Sequence, residues 1–447
     1  MQTLHERLAE LAELSERRPD PGTAAAAAAR GRAYRRRRLV GTAATVAACL
    51  AALTLIAGVS LSRSAGDVEP APAGAPTGMP RELYEPSPWL PGTAGEPLGT
   101  LAAIIPAERA TWTGREDGLV GVSATSGAYR FLDLPGIAAA GDSTAAISPD
   151  GRRVAYWTTG ATRLSPEEHP VTGVAVYDAT TGEVVRHRVV TDHGLATADL
   201  FWADGSTLLL GYGQSRAGQA DPVELWGGST FPVWFAWRVG DNEPAQLNLA
   251  EGADVRRAGD GRVLVTEDGD SLLDLGTGTR TTVRPRPDSS QSPVPDAAGT
   301  KLAWVAGSTK RNPEGSRNPN RVFVAPVAPA GAPGSGRVIP GSGGTIDVLS
   351  WTDPTHVSLH QVVGEPGDRV RIAVVDVRTG ESVTVTEGEA GLGFYSGRVA
   401  TDLLRRPPIA APEPPHPWDP RMSTGLATAV LVAGAGFLIV WRRRARA

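Results

Sequence analysis

The chain has 447 residues, 44 basic and 48 acidic side chains, a net charge of −4 and an apolar content of 41%. That apolar fraction excludes wholesale disorder, and the near-neutral balance excludes a generally basic nucleic-acid binder. A single cysteine, Cys49, excludes an internal disulfide framework and a Cys-rich zinc or iron–sulfur site.

Residues 1–38 read as a cytoplasmic arm. Leu4, Leu8 and Leu11 fall at i, i+4, i+7, which predicts a short amphipathic helix ended by Pro19 and Pro21. The run Ala24–Ala29 reads as linker. Residues 39–61, Leu39 to Leu61, hold no charge over 23 positions. At 1.5 Å per residue they would cover about 34 Å, enough for a hydrocarbon core of roughly 30 Å. Arg35 to Arg38 stand immediately before them. Residues 424–441, Thr424 to Trp441, give a second uncharged run, followed by the 442–447 tail with Arg442, Arg443, Arg444 and Arg446.

Charge sets the expected topology. Residues 1–38 carry nine Arg against five acidic residues, the tail carries four Arg, and subtracting +4 and +4 from −4 leaves −12 between them. Arginine clusters favour the cytoplasmic side, so a two-pass cell-membrane protein is predicted, with both termini cytoplasmic and the middle extracytoplasmic. A cleaved signal peptide is the competing reading of the first span, but its leader is long and no clean Ala-x-Ala site follows. A buried helix is the competing reading of the second.

Pro-rich stretches flank the central body. Residues 62–97 include Pro70, Pro72, Pro76, Pro80, Pro86, Pro88, Pro91 and Pro97, and residues 406–423 include seven prolines from Pro407 to Pro420. Both read as stiff linkers without ladders or helices.

Residues 98–405 show short β runs separated by turn signals. Ala145-Ala146-Ile147 leads into the tight turn Ser148-Pro149-Asp150-Gly151, then Val154–Trp157, Val174–Asp178, the turn Thr180–Glu183 and a further strand. Variants recur at Phe201–Gly205, Gly259–Gly261, Asp296–Gly299 and Trp351–Pro354, and Asp376 to Glu381 repeats the Asp178 to Glu183 spacing. Four short strands per repeat predict an all-β fold, a six- or seven-bladed β-propeller flanked by two transmembrane helices, with a β-sandwich pair as the alternative. About six blades are recognisable, and the seven-bladed form would close from the region near Gly391–Leu404. Tyr156 and Trp304 are assigned to packing between blades.

The Ser148–Glu183 unit resembles the TolB-like and WD-repeat-like propellers of bacterial cell membranes, without a Gly-His…Trp-Asp pair. That resemblance implies a propeller fold over roughly residues 100–400.

In each blade the turns between strands one and two, and three and four, share a rim. The loops between strands two and three share the other, and they are expanded at Thr158–Thr172, Tyr212–Pro232 and Gly307–Asn320. Those insertions, with Trp226, Phe231, Lys310, Arg311 and Arg317, read either as a binding face or as drift in loops that tolerate insertion. No catalytic, cofactor or metal residue is nominated. His356 and His360 share a strand face about 13 Å apart, too far for one zinc. His187 and His193 have no obvious third ligand. Gly213-Gln214-Ser215-Arg216-Ala217 lacks a strand–elbow–helix context. Gly388–Gly393 precedes no helix, and Glu267-Asp268-Gly269-Asp270 reads as a hairpin turn before it reads as a calcium loop.

The leading expectation is a non-enzymatic extracytoplasmic propeller that binds a protein, peptide or envelope glycan. It is anchored in the bilayer by Leu39–Leu61 and Thr424–Trp441 and has no nucleic-acid partner. The alternative is an anti-sigma-like transmembrane regulator whose arm Met1–Arg18 holds a cytoplasmic protein. A propeller enzyme is a third reading.

Overall fold

The computed structural model describes residues 25–26, 28–32, 76–138, 144–164, 169–215, 230–259, 261–267, 269–283, 293–306, 320–327, 336–364, 369–389, 392, 397–417, 419 and 421. The chain divides into two units, Met1–Gly66 with Trp418–Ala447, and Asp67–Pro417. In the first unit, residues 25–26 and 28–32 are helical, so part of the alanine run expected as linker forms helix. Both predicted spans, Leu39–Leu61 and Thr424–Trp441, lie outside the described residues, as do Leu4, Leu8 and Leu11. Among the described residues no helix is long and apolar enough to cross a membrane.

The second unit is a six-bladed β-propeller, which displaces the sandwich alternative. Blade 1 holds Leu101–Ala110, Arg115–Ser123 and Tyr129–Phe131; blade 2 holds Ala145–Ile147, Arg153–Thr159, Val171–Asp178 and Val184–Arg188. Blade 3 runs from Leu195–Trp202 to Ala245–Gln246, blade 4 from Asp254–Gly259 to Arg280–Thr282, and blade 5 from Val294–Pro295 to Arg337–Val338. Blade 6 holds Thr345–Asp353, His356–Val363, Arg369–Asp376 and Ser382–Glu389.

Blade 2 shows why these residues stack. Val154, Ala155, Tyr156 and Trp157 are all buried, so both faces of the strand are covered. Successive side chains point to opposite faces. Val154 and Tyr156 accordingly join the core shared with blade 1, while Ala155 and Trp157 join the core shared with blade 3. Blade 4 repeats the division, with Val263 and Val265 against blade 3 and Leu264 against blade 5. Trp304 is buried and stacks on Phe323 at 5.9 Å, in the core between blades 4 and 5.

Indole nitrogens reinforce two of these contacts. The Trp202 Nε1–H donates to the Ala146 carbonyl at 3.0 Å, from blade 3 to blade 2. The Trp351 Nε1–H donates to the Val294 carbonyl at 2.9 Å, from blade 6 to blade 5. Both tryptophans lie near the end of a first strand, two residues before the turn aspartate, in Trp202-Ala203-Asp204 and Trp351-Thr352-Asp353.

A seventh blade does not form among the described residues. Residues 397–400 instead run antiparallel to Leu101–Ala110, with Val399 opposite Ala103. The Ile104 N–H donates to the Arg398 carbonyl and the Ala400 N–H to the Ala102 carbonyl, each at 2.9 Å. These residues are the innermost strand of blade 1, which has only three strands of its own. Too short to carry a sheet alone, they find their ladder partner at the other end of the domain. On the neighbouring side, the Ile147 N–H of blade 2 donates to the Gly397 carbonyl at 2.7 Å. The ring therefore closes by joining the two ends of the propeller domain.

The linkers also differ from expectation over the residues described. Glu82–Leu83 pairs in parallel with Glu387 and Gly388 and becomes a fifth strand of blade 6. Pro80 bridges Ile409 in parallel, and Gly92 bridges Phe131 of blade 1. Met79, Leu83 and Leu90 are buried. Proline bars a residue from donating to a ladder, but the non-proline residues between prolines can still donate along an exposed sheet edge. Both flanking stretches thus lie over the seam between blades 6 and 1.

Closure yields a direct test. Ala400→Pro removes the Ala400 N–H and leaves the buried Ala102 carbonyl without its donor, a loss of about 1–3 kcal/mol. The variant should unfold at a lower temperature and be cleaved by protease at the seam before any other blade; an unchanged melting temperature would show that the strand does not hold the ring.

Candidate functional site

The two rims of the propeller differ in chemistry. On the tight-turn rim, aspartates close the hairpins by accepting hydrogen bonds from their own turns. The Asp178 carboxylate accepts from the amides of Thr180 and Thr181 at 2.8 and 3.2 Å, and Asp204 accepts from Ser206 and Thr207 at 2.6 and 2.7 Å. Asp274, Asp296 and Asp376 do the same for Thr277, Thr300 and Thr379. In the Ser148–Gly151 turn, the Ser148 hydroxyl donates to Asp150 at 2.6 Å. Gly151 sits at φ +75°, where a Cβ would run into the Leu101 carbonyl.

In four of these aspartates, Asp178, Asp204, Asp274 and Asp376, the bonds favour the ionised form. For Asp178 and Asp204, burial pushes the pKa up, but hydrogen bonds led by those of Thr180 and Ser206 outweigh it and the net shift is downward. For Asp274 and Asp376 the Thr277 and Thr379 amides are the largest downward influence. Asp353 is also desolvated, yet hydrogen bonds from Thr355 and His356 hold it down at about 2.

The central channel opens on this rim into a cavity of about 100 Å³. Each of blades 2 to 6 contributes to its lining, through Pro149, Asp204, Gly259, Ala297 and Trp351 among others, and Asp402 follows the closing strand. The Asp402 N–H donates to the Pro149 carbonyl at 2.9 Å, and Arg405 Nη2 donates to the Trp351 carbonyl at 3.3 Å. The mouth is small, polar and largely engaged in its own hydrogen bonds.

The opposite rim carries the insertions. Thr158, Thr159, Val171 and Thr172 belong to strands, so that insertion is confined to 160–170; Tyr212 likewise lies within Thr207–Gln214. Trp226, Lys310, Arg311 and Arg317 lie outside the described residues. Phe231 is 54% exposed, and it is joined on this rim by Trp112 at 65%, Leu164 at 49% and Val190 at 95%. Trp112 tips the hairpin between Leu101–Ala110 and Arg115–Ser123; the Leu164 N–H donates to the Asp192 carbonyl at 3.1 Å, two residues after Val190. The remaining exposed large apolar side chains, Val185 and Val383, lie on the fourth strands of blades 2 and 6. No exposed large apolar residue stands on the tight-turn rim among the described residues.

The residues weighed for chemistry are dispersed. His356 and His360 share the strand His356–Val363 as read from sequence. His356 Nδ1 lies 2.9 Å from Asp353 and its Nε2 3.9 Å from Asp376, whereas His360 is buried. His187 packs on the Trp237 ring at 5.7 Å, and His193 Nδ1 meets the Leu164 carbonyl at 3.1 Å. Ser215 donates its N–H to Gly194 at 3.0 Å, with Arg216 and Ala217 outside the described residues. Glu267 pairs with Arg280 at 2.6 Å and Asp270 accepts from Thr266 at 2.8 Å, so the acidic turn braces its hairpin. Gly388 and Glu389 belong to the strand Ser382–Glu389.

The body is thus a six-bladed β-propeller with two dissimilar rims. No family model matches the chain, and no curated protein matches it. Among solved structures it is similar to TolB from Acinetobacter baumannii at 16% identity and a TM-score of 0.36, over 65% of this chain and 66% of that one. It is also similar to the β-propeller domain of the Trilobed protease from Pyrococcus furiosus, described as having an open velcro topology, at 12% identity and a TM-score of 0.39, over 69% of this chain and 85% of that one. A third similarity is to an acylaminoacyl peptidase from Pyrococcus horikoshii at 13% identity and a TM-score of 0.39, over 63% of this chain and 43% of the peptidase. The chain thus spans slightly under two thirds of that TolB and less than half of the peptidase.

Titration separates two contributions to stability. Burial lowers the His360 pKa to about 4. A base depressed in the folded state contributes stability above its unfolded value, near 6.5, that is lost as pH falls toward 4, by about 3 kcal/mol. Asp353 contributes above about 3.9, and that contribution is lost as pH falls through about 2. His360→Gln should flatten the melting-temperature profile between pH 6.5 and 4, and Asp353→Asn should flatten it only below 4. A full slope retained in His360→Gln would refute the first assignment.

Proposed function

We propose that this chain is a membrane-anchored, non-enzymatic binding module whose propeller stands outside the cytoplasm and presents its long-loop rim to a protein, peptide or envelope glycan. One observation carries the reading: Trp112, Leu164, Val190 and Phe231 are exposed on the rim that bears the insertions, while the other rim's carboxylates close their own turns. Exposed apolar groups gathered on one face of a rigid scaffold mark an interaction surface. Anchorage is supported by the uncharged runs 39–61 and 424–441 with their arginine collars, and by the −12 balance between them.

Replacing 216–229 and 307–319 by short Gly-Ser connectors, together with Trp112→Ser and Phe231→Ser, should abolish capture of the extracellular partner by the full-length chain. The melting temperature should stay within about 3 °C of the parent, because Trp112 and Phe231 are exposed and neither belongs to a core between blades. Undiminished capture would overturn the rim assignment.

The alternative function, a transmembrane regulator, draws support from the amphipathic spacing of Leu4, Leu8 and Leu11 on an arm that the charge rule leaves in the cytoplasm. Stoichiometric capture of a cytoplasmic protein by the full-length chain, lost in Leu4→Glu/Leu8→Glu, is its expected result.

A further inference from the structure

A second cavity, of about 320 Å³, opens on the long-loop rim at the seam between blades 6 and 1. It reaches the lower end of the size range typical of small-ligand pockets. Its floor is apolar: Ile105, Pro86 and Leu392 line it and are buried. Its margin is acidic, because Glu85 arrives on the strand-forming N-terminal flank, Glu108 on blade 1 and Glu389 at the end of blade 6, all exposed. The one guanidinium in the lining, Arg115, is held by Glu108 at 2.6 Å. Three carboxylates against one guanidinium leave an excess of two negative charges around an apolar floor.

That pairing selects its occupant by complementarity. An anion would be repelled, and a purely apolar group would desolvate the carboxylates without replacing their hydrogen bonds. A long basic side chain satisfies both parts, laying its methylenes on the floor and carrying its donors to the margin. Trp112, at the tip of the Leu101–Ala110/Arg115–Ser123 hairpin, offers an exposed aromatic face to a further cation on the same ligand. We infer that this groove receives a lysine or arginine side chain flanked by apolar residues, within an extended segment of the partner polypeptide. The inference rests on the reading of the propeller as a binding module and adds the chemistry of what is bound.

The test uses the full-length chain in detergent micelles and a blocked, fluorescent Ala-Leu-Arg-Leu tetrapeptide, with the same peptide carrying citrulline for arginine as its neutral isostere and free guanidinium as a competitor. The arginine peptide should bind saturably, and citrulline should weaken it by about tenfold or more. Glu108→Gln/Glu389→Gln should weaken it by a similar factor, while Ile105→Ser should weaken both peptides alike. Equal binding of the citrulline peptide, undiminished binding to the double variant, or no saturable binding of the arginine peptide overturns the inference. The chain lacking 216–229 and 307–319 serves as a second host. The groove residues are intact there, so tetrapeptide binding should persist; its loss in the parent chain while partner capture survives refutes the groove alone and leaves the rim reading standing.

Discussion

The propeller depends on the pairing of residues 397–400 with Leu101–Ala110. A four-stranded blade is apolar on both faces, and only neighbours on each side remove those faces from water. Five interfaces form between blades that follow one another in the chain. The sixth must join blade 6 to blade 1, whose residues are separated by almost the whole domain. The largest core cluster among the described residues runs through that seam and on into the blade 1–blade 2 interface, combining Leu101, Ile104 and Val120 with Leu349, Ile372 and Val399 on one side and Val154 and Tyr156 on the other. Loop-closure entropy rises only with the logarithm of separation, so one short strand and this apolar seam are enough to hold distant ends together.

The flanking stretches strengthen the same place. Glu82–Leu83 covers the outer edge of blade 6, and residues 91–93 run beside Phe131 on the outer edge of blade 1. Ile409 bridges Pro80, so the incoming and outgoing chain lie side by side. An uncovered edge strand would offer unpaired backbone groups to other chains. Here the segments that lead to and from the domain occupy the two edges nearest the seam.

Chemical asymmetry between the rims follows from hairpin geometry. A tight turn needs acceptors for its free amides, and aspartate supplies them from one residue in the turn. Asp178, Asp204, Asp274, Asp353 and Asp376 therefore stand on one rim with their charges locally satisfied. The other rim has no such requirement. Its loops vary in length, and its exposed apolar tips and carboxylate-edged groove are available for recognition.

Much of this architecture can be read from one dimension. Strand alternation and turn chemistry act over a few residues, so Ser148–Gly151, Thr180–Glu183 and the buried Tyr156 and Trp304 were legible, and so was the assignment of each turn to a rim. The blade count was not, because Gly397-Arg398-Val399-Ala400 is too short to show a period and acquires its meaning from Ala102 and Ile104, some 300 positions earlier. The proline-rich flank misled for a related reason: composition reports that a segment cannot build its own ladder, but not that an existing edge will accept it. The groove is the extreme case. Glu85, Glu108 and Glu389 carry no shared local signal, and only closure of the ring brings them to one apolar floor. Local chemistry is written in neighbouring residues, whereas closure and the sites it creates belong to pairs that the chain keeps far apart.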